Sequence, residues 1–72
     1  MESINLRFAK ALKELRAAHG LTQEELAEKS GIDYKYLQKL ESQNPSSPTL
    51  STLEKLANGL EMSIEELLIG IQ

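Results

Sequence analysis

Residues 21–41 read LTQEELAEKSGIDYKYLQKLE, and this stretch decides the fold. Thr22 with Glu25 three positions on is a capping box: the Thr22 hydroxyl accepts from the Glu25 amide, and the Glu25 carboxylate reaches back to Thr22. Leu21 and Leu26 occupy the two positions of a hydrophobic staple, so the spacing predicts a helix from about Gln23 to Ser30. Gly31 follows, and another helix can start almost at once, with Asp33 as N-cap and Ile32 and Leu37 at staple positions. A connection of about three residues forces the two helices to cross sharply, and glycine is needed where the backbone turns left-handed. Ala27 is small where the two helices approach, while Leu37 and Leu40 point the later helix at the core.

The flanks extend the helical pattern in both directions. Ile4, Phe8, Ala11, Leu12 and Leu15 form one apolar face of an N-terminal helix that Gly20 ends with a left-handed cap. Ser42 to Thr49, with two prolines, three serines and an asparagine, is a loop by composition. Leu53, Leu56, Ala57 and Leu60 make a further stripe, closed by Asn58-Gly59. A second capping box (Ser63, Glu66) with its staple (Met62, Leu67) starts a last helix. The expected fold is all-α, a compact five-helix bundle in a single domain over residues 1–72, with no strand, repeat or linker. At this size a lone core is marginal, which favours a partner subunit.

Composition excludes several classes. Without cysteine there is neither a disulfide nor a thiolate metal site, and His19, the one histidine, has no second ligand at metal spacing, so no metal or other cofactor is expected. His19 reads as a surface residue in the last turn of the first helix. The longest apolar stretch, around Leu67 to Ile71, cannot span a bilayer, and the first residues lack a signal-peptide pattern, so a cytoplasmic protein with no membrane partner is expected. No paired carboxylates, activated nucleophile, phosphate loop or small-molecule pocket signature appears, which argues against an enzyme. The net charge of -3 suits an ordinary acidic domain better than a nucleic-acid binder. It is uneven, however: residues 1–41 balance seven basic against seven acidic side chains, and residues 42–72 carry the whole excess of -3. An acidic C-terminal part that points away leaves the N-terminal half free to meet an anion.

The run from Leu21 to Glu41, together with Pro48-Thr-Leu-Ser-Thr-Leu-Glu-Lys-Leu-Ala57 and Leu60-Glu-Met-Ser-Ile-Glu-Glu-Leu-Leu68, resembles the phage-repressor and Cro type of helix-turn-helix regulator. The resemblance implies a lambda-repressor-like fold and a mostly dimeric repressor or activator that binds double-stranded DNA through its third helix. There, Leu37 and Leu40 fix the buried direction, so steps of about 100° put Lys35, Gln38 and Lys39 outward, with Tyr34 and Tyr36 on the flanks. Tyr34, Lys35, Gln38 and Lys39 are the expected base contacts: lysine donates to guanine, glutamine pairs with adenine, and a tyrosine ring packs on a thymine methyl.

By the same resemblance Gln23, at the start of the second helix, contacts phosphate, where free amides already favour an anion. Thr22, Tyr36, Gln43, Asn44, Ser46 and Ser47 complete the expected phosphate contacts, with Thr22 also serving as a cap. The loop has no basic residue, which predicts a shallow salt dependence. The resemblance also implies that Arg16 and Glu41 pair inside the domain and orient the recognition helix; the rival reading makes Arg16 a phosphate ligand, and both could hold. Leu60, Met62, Ile64, Leu68, Ile69 and Ile71 are the expected homodimer interface, although the same residues could simply close the core of one subunit. A protein-interaction module of the same fold is the alternative function, supported by the net acidity; RNA binding has less in its favour.

Overall fold

Every helix begins on a side chain that accepts from one of its otherwise unpaired first amides. Ser3 accepts from Leu6, Thr22 from Glu25, Asp33 from Tyr36, Thr49 from Thr52 and Ser63 from Glu66. These caps open α1 (Ile4–Ala18), α2 (Gln23–Ser30), α3 (Tyr34–Leu40), α4 (Leu50–Gly59) and α5 (Ile64–Ile69). The computed structural model describes residues 2–71, so the two ends of the expected domain lie outside the described residues. Among the described residues there is no strand, and no helix is long and apolar enough to cross a membrane.

Both capping boxes close. The Glu25 and Glu66 carboxylates accept from the backbone amides of Thr22 and Ser63, and these bonds, with the cap hydroxyls second, hold both acids below the usual carboxylate range. Two of the molecule's acids are thus committed to starting helices.

Gly31 takes the left-handed conformation at φ 69° and its amide donates to the Ala27 and Glu28 carbonyls, while the Ile32 amide donates to Ala27 at 3.0 Å. This turn folds α3 back across α2. Leu12, Leu26, Leu37, Leu40, Leu56, Leu60 and Leu67 are fully buried, so all five helices supply the one core. α2 lies at its centre, packed on both α3 and α4.

Asn58-Gly59 closes α4 as expected, with Gly59 its buried last residue, and Glu61 is the position that turns left-handed, at φ 56°. Glycine is required at position 59 by a close approach. A Cβ there would lie 2.1 Å from Ser30 Oγ and 3.2 Å from Ser30 Cα, where the end of α2 crosses the end of α4. Leu60, 1% exposed, belongs to the core of a single subunit and has no surface to give to a dimer interface. His19 is exposed as expected, but its ring also joins two helices, with Nδ1 2.8 Å from the Leu15 carbonyl oxygen and Nε2 3.0 Å from that of Leu60.

Gly59→Ala is expected to destabilise the protein by about 1–3 kcal/mol through overpacking, more than offsetting the better helix propensity of alanine. Ser30→Ala removes a buried hydroxyl that has no hydrogen-bond partner and is expected to be neutral or stabilising. Denaturant midpoints of the two variants check both, and a Gly59→Ala protein as stable as its parent would contradict the close approach.

Candidate nucleic-acid interface

The site rests on a buried ion pair. Arg16 Nε donates to both Glu41 carboxylate oxygens at 3.2 and 2.9 Å, and Nη2 donates to Oε1 at 3.1 Å. The Glu41 side chain is 1% exposed and that of Arg16 17%. Arg16 Nη1 also donates to the Leu21 carbonyl at 2.8 Å, and Gln23 Nε2 donates to Glu41 Oε1 at 3.0 Å. One cluster therefore ties the end of α1, the link into α2, the first residue of α2 and the residue that ends α3. The direction in which α3 projects from the body depends on all of them.

Along α3, Tyr34, Lys35, Gln38 and Lys39 are exposed, while Leu37 and Leu40 are buried beneath them. The four side chains expected at base edges thus share the free side of one helix. Gln38 Nε2 donates to the Tyr34 hydroxyl oxygen at 3.1 Å. Tyr36 is turned differently: half-buried, it packs against the core, with its hydroxyl 3.3 Å from Thr52 Oγ1 on α4. A phosphate contact from Tyr36 is therefore secondary to a bridge between α3 and α4.

The other expected phosphate contacts come from the start of α2 and from the loop after α3, which the Gln23–Glu41 bond brings near each other. Thr22 is exposed; its oxygen accepts from the Glu25 amide, which leaves its O–H hydrogen free to donate. The half-buried Gln23 has one N–H committed to Glu41, which leaves one N–H and its carbonyl oxygen for a ligand. After α3, Ser42 Oγ donates to the Lys39 carbonyl at 2.7 Å and accepts from the Asn44 amide, which shapes the start of the loop. Gln43, Asn44 and Ser47 are exposed and Ser46 is half-buried.

Two residues at this surface were missed by sequence reasoning. Lys10 and Lys13 of α1 line a groove of about 200 Å3 together with Ser42 and Gln43. Lys10 also pairs with Glu2. The loop that has no basic residue of its own is thus flanked by two from the first helix. Their spacing on one helix face was readable, but which loop that face meets was not.

Around α5, Ile69 is 63% exposed and Met62, Ile64, Leu68 and Ile71 are half-buried. Met62 and Ile69 line one groove of about 530 Å3 against Ala11, Leu15 and Ala18, and Leu68 and Ile71 line another of about 210 Å3 against Ile4, Phe8 and Pro48. Among the described residues no cluster of acids and histidine could hold a metal ion.

A family model described as helix-turn-helix matches residues 12–67. The chain is 39% identical over 62 residues to the HTH-type transcriptional regulator SutR of Escherichia coli K12, an alignment that covers 86% of this chain and 34% of SutR. It is 40% identical over 58 residues to the antitoxin HipB of the same organism, covering 81% of this chain and 65% of HipB. The chain therefore spans between about a third and two thirds of the length of these relatives. Among solved structures, the restriction-modification controller protein C.AhdI from Aeromonas hydrophila superposes with a TM-score of 0.82 at 38% identity, covering 88% of this chain and 94% of that one. The controller C.Esp1396I, solved bound to a 19 base pair DNA duplex, superposes with a TM-score of 0.83 at 33% identity, covering 97% and 96%.

Breaking the ion pair from one side is expected to destabilise the fold by about 3–5 kcal/mol, because the partner charge is left buried and unpaired. Arg16→Ala and Glu41→Ala test this by denaturant unfolding. Arg16→Met combined with Glu41→Leu, which removes both charges, is expected to lose less than either single variant. A double variant worse than both would make the pair a net source of stability.

Proposed function

Because the chain belongs to the helix-turn-helix family, we propose that it is a DNA-binding transcriptional regulator that lays α3 in the major groove and works as a homodimer on a palindromic operator. The observation that carries this is the free side of α3, where Tyr34, Lys35, Gln38 and Lys39 stand together on a helix whose base is clamped by Arg16 and Glu41. The DNA-bound controller of the same fold supports it. The family and the relatives it matches are transcriptional regulators and antitoxins, not enzymes.

Within this reading residues 1–72 act as one domain. The α3 side chains read base edges, while Thr22, Gln23, Gln43, Asn44, Ser46 and Ser47 position the duplex from both ends of the α2–α3 unit. Lys10 and Lys13 join them as the cations of the loop end, so the salt dependence is steeper than the loop alone would give. One such module reads only a few base pairs, so two copies on half-sites about 34 Å apart supply the specificity. Ile69, with Met62, Ile64, Leu68 and Ile71 around it, is the surface offered to the second copy; the two apolar grooves beside α5 support this.

Selection from a random duplex pool at near-physiological salt is expected to enrich a two-fold-symmetric motif that Lys35→Ala/Lys39→Ala loses. Enrichment of nothing by the wild-type chain would favour the protein-interaction reading, which the net charge of -3 supports. A separate check concerns the α1 lysines. Lys10→Ala/Lys13→Ala is expected to flatten the slope of log affinity against log salt by about 1–2 and to weaken all duplexes alike, since each phosphate contact contributes about 0.9. An unchanged slope would remove the groove from the interface.

A further inference from the structure

Tyr34 and Gln38 lie four residues apart on α3, one turn above the other on its exposed side. Gln38 Nε2 donates to the Tyr34 hydroxyl oxygen at 3.1 Å. The chemical consequence lies in what each group has left. A carboxamide has one carbonyl oxygen and two N–H groups, and a phenol has one O–H and two lone pairs. With one N–H given to Tyr34, Gln38 keeps a single outward edge made of Oε1 and the other N–H. Tyr34 keeps its own O–H to donate.

We propose that Tyr34 is a positioning residue that restricts Gln38 to adenine. This rests on the DNA-binding reading of α3. In the major groove adenine presents the N6 amino donor beside the N7 acceptor, which is the complement of one carbonyl oxygen beside one N–H. Guanine presents two acceptors, O6 and N7, and asks for two donors. An unanchored glutamine can rotate its amide and turn both N–H groups toward guanine. Gln38 anchored through Nε2 cannot, because one N–H is occupied and Oε1 would face guanine O6, acceptor against acceptor. The opposite arrangement, with the phenol donating to Oε1, would free both N–H groups and read guanine; the geometry on α3 is the first of the two. Because both side chains are exposed, this bond matters for which base is read and little for whether the chain folds.

Duplex selection with the wild-type chain, Tyr34→Phe and Gln38→Ala tests this. Phenylalanine keeps the ring and its packing on a thymine methyl but removes the acceptor that anchors the amide. The wild-type motif is expected to hold, in each half-site, a position preferring adenine over guanine that Gln38→Ala abolishes. At that position Tyr34→Phe is expected to lower the adenine-to-guanine preference by about tenfold, the size of a lost bidentate discrimination, with the melting temperature unchanged. A Tyr34→Phe protein that keeps the wild-type ratio there would overturn the positioning role while leaving DNA binding intact. Guanine at the Gln38-dependent position would overturn the assignment of the base. A wild-type chain that enriches no motif would remove the DNA reading and this inference with it.

Discussion

The Arg16–Glu41 pair is the interaction on which the rest depends. A carboxylate as enclosed as Glu41 is unfavourable unless its lone pairs are met, and here three donors from Arg16 and Gln23 meet them. The donors come from α1 and from the first residue of α2, and Arg16 in turn holds the carbonyl of Leu21 between them. A satisfied cluster of this kind has one good geometry, so three helices are set relative to one another by the same few bonds. Since Glu41 ends α3, the clamp sets the direction in which the exposed side of that helix faces.

The apolar packing works to the same end. α2 is the central element, and the contact of Ser30 with Gly59, which has no side chain of its own to intrude, lets its end cross closely over α4. On its other side the Gly31 turn returns α3 at once, so the seven residues of α3 are short enough to be controlled from both ends. Leu37 and Leu40 seat the helix, Tyr36 ties it to Thr52 of α4, and the remaining side is left to solvent.

Charge follows this arrangement more closely than the total suggests. Glu41 is matched by Arg16, so its charge adds little to the field at the surface, whereas Glu25 and Glu66 stay ionised in their caps at the starts of α2 and α5. Lys35 and Lys39 face outward on α3, and Lys13 stands beside the loop that follows it. An acidic protein can therefore present a locally basic strip.

The sequence by itself determined the five helices and the tight turn, because caps, staples and left-handed glycines act over three to five neighbouring residues and leave a local pattern. It also determined which side of α3 is free, since helical periodicity and two leucines settle that. It could not place Lys10 and Lys13 beside Ser42 and Gln43, commit the Gln23 amide to Glu41, turn Tyr36 inward or withdraw Leu60 into the core. Nor could it show that Gly59 is needed to make space for Ser30. Each of these joins residues that are distant along the chain, and only the packing of whole helices decides which distant faces meet.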